Sequence, residues 1–121
     1  MTQNTIKKKY LFVGEERSKT TIKMNVTWVD KRLAAAHLSK AVEALGVDWD
    51  DCDFANVFEN ELPKIRRFKG PVIAMGRKVE RELKKQDIQH HYIHHPAARG
   101  KIRIVENYKA HVKENLEHIL I

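Results

Sequence analysis

The feature that most constrains the fold is a regular alternation of short apolar runs with segments of helical periodicity. Four apolar runs, each ended by glycine, proline or charged residues as buried strands are, lie at residues 9–13, 52–58, 72–75 and 88–93. Helical spacing is found between them, at residues 28–45, 60–68 and 77–85, and again from Ile102 to Leu120. Alternation of this kind predicts an α/β fold with a mainly parallel sheet and helices on both of its faces.

The first strand and the first long helix are separated by a polar segment. Residues 14–27 lack helical periodicity, so they are predicted to form a long loop. Trp28, at the start of the following helix, is interpreted as a core residue, with stacking on a base as the alternative. Long loops in compact domains are often functional, so this segment is a candidate part of a site.

In an open parallel sheet, ligands bind at the carboxyl ends of the strands. The segments that follow the four predicted strands are residues 14–18, 56–58, 76–78 and 94–100, and they contain a carboxylate pair, an amide, several basic side chains and a histidine pair. Because these strand ends share one edge of the sheet, the pattern predicts that the four segments converge on one site.

The distribution of charge indicates the kind of partner. The chain carries a net charge of +7, and residues 64–103 hold 12 basic against 3 acidic residues. A basic second half favours a polyanion, either nucleic acid or a nucleotide. The alternative is a solvated basic face that serves solubility.

Composition excludes several other classes. A single cysteine, Cys52, cannot form an internal disulfide or hold an iron–sulfur cluster, which fits a reduced cytoplasmic setting. No segment has the length of a membrane span or a signal peptide, so neither a membrane nor a secreted location is expected.

The four histidines at positions 90, 91, 94 and 95 lack a metal-site spacing, and no phosphate-binding GxxxxGK[ST] loop is present. We therefore expect no metal and no cofactor.

The ordered motifs FVGEER, FANVF, VIAMGRKV and HHPAARG, spread over residues 10–103, resemble those of the uracil-DNA glycosylase superfamily in a short version similar to phage-encoded proteins. The resemblance implies one domain over residues 1–121, with three α/β/α layers and a four-stranded parallel sheet in the order 2-1-3-4. It also implies a pocket for an extruded base, cleavage of an N-glycosidic bond and a part in DNA repair, and a phage origin would mean the host cytoplasm.

The resemblance also assigns roles to particular residues. Gly14 and Glu15 match the family's first motif, in which a carboxylate positions water or supports the electron-poor sugar, and Glu16 takes the place of a second acidic residue. Asn56 matches the amide that recognises the base edge. His95, followed by proline as in the family, matches the histidine that donates to the base oxygen as negative charge builds there.

The remaining candidate residues would bind the substrate. At the strand ends these are Arg17, Ser18, Gly76 and Arg77; beyond the fourth strand Arg99, Lys101 and Arg103 would contact phosphates at the start of the last helix. Some candidates also have a structural interpretation: Glu15 and Glu16 as a solvated pair or helix cap, Asn56 as a turn amide, and the three basic residues as a solvated first helical turn.

Two functions compete for these residues. The first is a nucleobase-excising glycosidase that acts on DNA or a nucleotide. The second is a catalytically inactive module that binds nucleic acid, a nucleotide or a protein on the same fold. Retention of a carboxylate, Asn56 and His95 favours the enzyme. Arg17 and Ala97, which replace a proline and a serine of the family's motifs, favour the binding module.

Overall fold

The computed structural model describes residues 8–97, 102 and 104–120. The strands and helices follow one another as β1 (Tyr10–Gly14), α1 (Lys19–Met24), a 3₁₀ turn (Trp28–Asp30), α2 (Ala34–Glu43), a second 3₁₀ turn (Trp49–Asp51), β2 (Cys52–Asn56), α3 (Leu62–Arg67), β3 (Val72–Met75), α4 (Arg77–Lys85), β4 (His91–Ile93) and α5 (Val105–Leu116). No helix in these described ranges has the length and apolar character needed to cross a membrane.

The four strands form one sheet in the order β2-β1-β3-β4, and every neighbouring pair is parallel. The prediction of an α/β fold with this strand order is confirmed. In register, Gly14 lies opposite Asn56, and Met75 lies opposite Ile93. The carboxyl ends of all four strands therefore reach one edge of the sheet.

Side chains alternate along each strand, and both faces of this sheet carry buried apolar side chains. Helices therefore cover both faces. Phe12 of β1 points to the face that α2 and α5 cover, where it packs in a cluster with Leu38 and Val112. Leu11 and Val13 point to the opposite face, in a cluster with buried residues of α3 and α4. The result is three layers around two apolar clusters.

The prediction that residues 14–27 form only a loop is wrong, because α1 lies within them. Ser18 caps this helix by accepting a hydrogen bond from the Thr21 N–H at 3.2 Å, and Asn25 ends it in the left-handed conformation. None of the residues of α1 is buried. A helix with no buried face has no reason to show apolar periodicity, which explains why the pattern missed it.

The predicted helix over residues 28–45 is divided in two. After the 3₁₀ turn, Lys31 and Leu33 have positive φ values of 56° and 57°, and α2 begins only at Ala34. A positive φ interrupts helical geometry, so Trp28 lies outside α2. In contrast, the predicted bounds of β3 and α4 agree with the structure.

The second and fourth strands and the last helix are shorter than predicted. β2 ends at Asn56, β4 begins at His91, and α5 starts at Val105. Arg99, Lys101 and Arg103 lie outside the described residues.

Candidate functional site

A cavity of about 570 Å³ lies beside the carboxyl edge of the sheet. Its walls come from the segment after β1, the 3₁₀ turn at Trp28, the end of β2 and the segment after β4. Of the sequence-predicted site residues, Glu16, Arg17, Ser18, Asn56 and His95 line it. Its volume is within the range of sites for small molecules.

Aromatic rings form one wall of the cavity. The ring of Trp28 stacks on Phe54 with a centroid distance of 6.0 Å and an interplanar angle of 14°. The imidazole of His95 meets the same indole edge-on at 5.9 Å. Trp28 is only half-buried, and it packs against the α2–α5 core while it lines the cavity. Trp28 is therefore both a residue that packs on the core, as predicted, and a part of the cavity wall.

Asn56 is 7% exposed, and its polar groups are held by neighbours. Its side-chain oxygen accepts from the Trp28 indole N–H at 3.3 Å, and its amide nitrogen donates to Glu59 Oε2 at 3.4 Å. Its main-chain N–H donates to Glu61 Oε1 at 2.8 Å. These contacts fix which side of the amide accepts and which donates.

Gly14 allows Asn56 to take this position. A Cβ atom at Gly14 would lie 2.8 Å from the Asn56 side-chain oxygen and 3.2 Å from the indole of Trp28. The glycine of the first motif is therefore required by close packing beneath the cavity.

His95 is held in one neutral tautomer. Its Nδ1 accepts a hydrogen bond from the Ala97 N–H at 3.0 Å, so the proton of the neutral ring is on Nε2. Burial lowers the pKa of His95, and the carboxylate of Glu15 opposes this shift. The ring is therefore neutral near pH 7, with Nε2–H free of the Ala97 contact and able to donate.

The two adjacent carboxylates have different surroundings. Glu16 is exposed and lines the cavity. Glu15 does not line it; its carboxylate lies 4.0 Å from Lys78 Nζ, on the side of α4. Its charge raises the pKa of His95, against the larger effect of burial.

Arg17 and Ser18 border the cavity, and both make contacts within the protein. The Arg17 guanidinium donates to the Val26 carbonyl at 2.9 Å and to the Thr21 carbonyl at 3.3 Å, while its main-chain N–H donates to Glu59. Arg17 Nε is buried without a hydrogen-bond partner among the described residues. These bonds tie α1 and the segment after it to the end of β2.

Gly76 and Arg77 lie at the same edge but do not line the cavity. Gly76 has a φ of 100°, which glycine adopts readily, and its N–H donates to the Ile93 carbonyl at 2.9 Å. A Cβ there would lie 3.6 Å from the His95 Cβ. The Arg77 guanidinium lies over the Tyr92 ring at 4.2 Å and pairs with Glu80 at 2.9 Å.

Glu59 was not among the residues predicted for the site. Its carboxylate lines the cavity and bridges two predicted site residues, since it accepts from the Asn56 amide and the Arg17 main chain. The available signal was a carboxylate three residues after Asn56, in the turn that leaves the strand end.

The described residues include one cysteine, Cys52, which lies at the start of β2 in the apolar core and does not line the cavity. Within the described ranges no three His, Cys, Asp or Glu side chains are placed to hold a metal ion. Burial raises the pKa of Cys52 to about 12, so its thiol is protonated at neutral pH and is a poor nucleophile.

Comparisons of the chain with protein-family models, with curated proteins and with solved structures gave no match.

Proposed function

We propose that this protein binds a nucleobase in the cavity and hydrolyses the N-glycosidic bond that joins the base to its sugar, in DNA or in a nucleotide. The observation that carries this proposal is the neutral tautomer of His95, which leaves an Nε2–H donor beside an aromatic wall and a buried amide. The cavity, the amide and the carboxylates supply the other groups that the reaction needs.

Recognition of a planar base is supported by Trp28 and Asn56. The indole offers a flat apolar surface, and base–aromatic stacking contributes about 1–3 kcal/mol per base. The Asn56 amide carries both a donor and an acceptor and is fixed by its neighbours. A fixed amide can pair with the edge of a base that presents the complementary groups.

Cleavage moves the electrons of the C1′–N bond onto the base, so negative charge develops on the base and positive charge on the sugar. His95 Nε2–H would donate to the base oxygen that carries this charge. Water forms the new bond to C1′ and its proton passes to the departing base. Glu15 or Glu16 would orient this water or stabilise the sugar cation. Preorganised donors of this kind contribute about 10²–10³ in rate.

A second function, binding of the same ligand without cleavage, is favoured by the placement of Glu15. Its carboxylate faces Lys78 and does not line the cavity. In that case Glu16, which is exposed, is the carboxylate available to the ligand, and Arg17 and Ser18 serve to hold α1.

The experiment is release of free base from uracil-containing and other modified oligonucleotides and from deoxynucleotides. We expect the wild-type protein to release base and His95→Ala to lose about 10²–10³ in rate. His118→Ala, an exposed histidine beyond α5, is the matched control and should keep the wild-type rate. If the wild type binds a base but releases none, the chain is a binding module.

A further inference from the structure

The residue before His95 is held by α5 at both of its backbone groups. The His94 N–H donates to His111 Nε2 at 2.9 Å, and the His94 carbonyl accepts from the Tyr108 hydroxyl at 2.8 Å. His111 and Tyr108 are three residues apart, so they lie on the same side of α5. One helix therefore fixes the peptide units on either side of His94, including the one that leads into His95.

The side chains around His94 reinforce this attachment. The rings of His94 and His111 are parallel within 3°, with centroids 4.3 Å apart. The Tyr92 hydroxyl lies 2.8 Å from His94 Nδ1, and the buried ring of Tyr108 packs on His37 of α2 at 4.9 Å.

We propose that His111 is a positioning residue for the candidate site: its neutral ring holds the His94 backbone, and through it places His95 against Trp28. The effect on a bound base rests on the proposed function, whereas the effect on the position of His95 does not.

The hydrogen bond requires an unprotonated Nε2 on His111. An imidazolium carries N–H groups at both nitrogens, so protonation would turn the acceptor into a second donor facing the His94 N–H. That bond would be lost, and of the two hydrogen bonds that join the His94 backbone to α5 the one from the Tyr108 hydroxyl would remain.

The charges around His111 decide when this happens. Burial and the neighbouring His94 lower the pKa of His111, and Glu114 on the same helix opposes them. Two other titratable side chains lie on this side of α5: Tyr108, whose ring is 6.1 Å from that of His111, and His37, which packs on Tyr108. The neutral ring is thus favoured at neutral pH, and acid would break the hydrogen bond from the His94 N–H.

Nitrogen-15 NMR of the histidine rings tests the geometry directly. The His94 N–H approaches Nε2 at 2.9 Å and the Asn115 amide nitrogen approaches Nδ1 at 3.3 Å, and a neutral ring can accept at only one nitrogen. We expect the shorter main-chain contact to set the tautomer, with an unprotonated Nε2 and a protonated Nδ1 on His111 in the wild-type protein at neutral pH. In an acid titration, the Trp28 indole and His95 ring signals should show a step from the protonation of His95 itself and a second step at the midpoint of His111. A protonated Nε2 on His111 at neutral pH would overturn the proposal.

Two variants separate positioning from a merely structural contribution. His111→Gln keeps an oxygen that can accept from the His94 N–H but cannot titrate in this range. The second step should therefore disappear, while the step of His95 remains and the neutral-pH signals stay near those of wild type. His111→Ala should shift the His95 and Trp28 signals at every pH. His118→Gln is the matched control, and it should retain both wild-type steps. A second step that survives unchanged in His111→Gln overturns the proposal.

Binding of free uracil, measured on the same variants, distinguishes this proposal from the proposed function. We expect His111→Ala to weaken binding about tenfold at neutral pH, the loss typical of one buried hydrogen bond, and His111→Gln to bind as the wild type does. If uracil does not bind but the second NMR step vanishes in His111→Gln, positioning stands and the uracil form of the proposed function fails. If uracil binds and the second step remains, the proposed function stands and positioning fails.

Discussion

The indole N–H of Trp28 donates to the side-chain oxygen of Asn56 across 3.3 Å, and so joins the turn before α2 to the carboxyl end of β2. The bond links the aromatic wall of the cavity to its buried amide. Any shift of the turn would alter both the stacking surface and the orientation of the amide. The two groups proposed to recognise a base are therefore coupled.

Substitutions at Trp28 should separate these two contributions. Trp28→Phe keeps an aromatic face but removes the donor to Asn56, and we expect the free energy of unfolding to fall by about 1 kcal/mol. Trp28→Ala also removes packing on Phe54 and should cost about 3 kcal/mol. Urea unfolding measures both values. Titration with uracil should show the larger loss of affinity in Trp28→Ala, and equal losses in the two variants would contradict a stacking role.

Adding a side chain at Gly14 should lower both stability and ligand affinity. The Cβ of Gly14→Ala would meet the Asn56 oxygen at 2.8 Å and force a shift of the amide or the indole, so we expect a loss of about 1–3 kcal/mol in stability and weaker base binding.

Gly46→Ala is the control for this substitution. No atom lies within 4 Å of a Cβ placed at Gly46, but its φ of 82° should cost about 1–2 kcal/mol in strain. Urea unfolding of the two variants should therefore give comparable losses, while only Gly14→Ala changes ligand affinity. Unchanged affinity in Gly14→Ala would show that the cavity does not depend on the position of Asn56.

Stability should depend on pH through the histidines. Burial lowers the pKa of His91, His95 and His111 in the folded state, so the unfolded chain takes up protons first as pH falls. The free energy of unfolding should be highest above pH 6.5, the ordinary histidine pKa. It should decrease as pH falls through the lower pKa values of these histidines in the folded state.

Urea unfolding between about pH 5.5 and 8, where most carboxylates stay ionised, measures this dependence. His111→Gln removes one of the three groups and should give a shallower decrease than wild type. A profile that is flat below pH 6.5 would contradict the buried neutral state of these rings.

Strand order and the position of the candidate site were accessible from the sequence, for different reasons. The parallel sheet follows from alternating apolar segments, and its carboxyl edge is where segments 14–18, 56–58, 76–78 and 94–100 had to meet. The strand order came from the resemblance, since periodicity does not specify which strands are neighbours.

The missed features depend on tertiary contacts or on backbone conformation. α1 has no buried face, and α2 begins late because Lys31 and Leu33 adopt positive φ values that their residue types do not favour. The half-burial of Trp28 depends on Phe54 and His95, and the bridging contacts of Glu59 join Asn56 to Arg17, so both features require distant parts of the chain to be folded together. No local pattern encodes such distances.

Nucleic-acid affinity should depend on salt through the basic residues that follow β4 in the sequence. Replacing Arg99, Lys101 and Arg103 with glutamine should flatten the slope of log affinity against log salt by about two to three, because each lost phosphate contact removes nearly one unit. Fluorescence titration of labelled single- and double-stranded oligonucleotides at several salt concentrations measures the slope.

The control for these substitutions is a pair of basic residues, Lys84 and Lys85, at the end of α4 that lies away from the cavity. α4 starts at the cavity edge, where Gly76 approaches His95, and runs about 13 Å away from it. Its far end is joined to α3 by the bond of 2.9 Å from Arg66 to Gln86. If nucleic acid engages the cavity edge, replacing Lys84 and Lys85 with glutamine should leave the slope unchanged. If replacing Lys84 and Lys85 flattens the slope, the nucleic acid lies across the α3–α4 layer. If the protein has no affinity for nucleic acid at low salt, the partner is a free nucleotide or a protein.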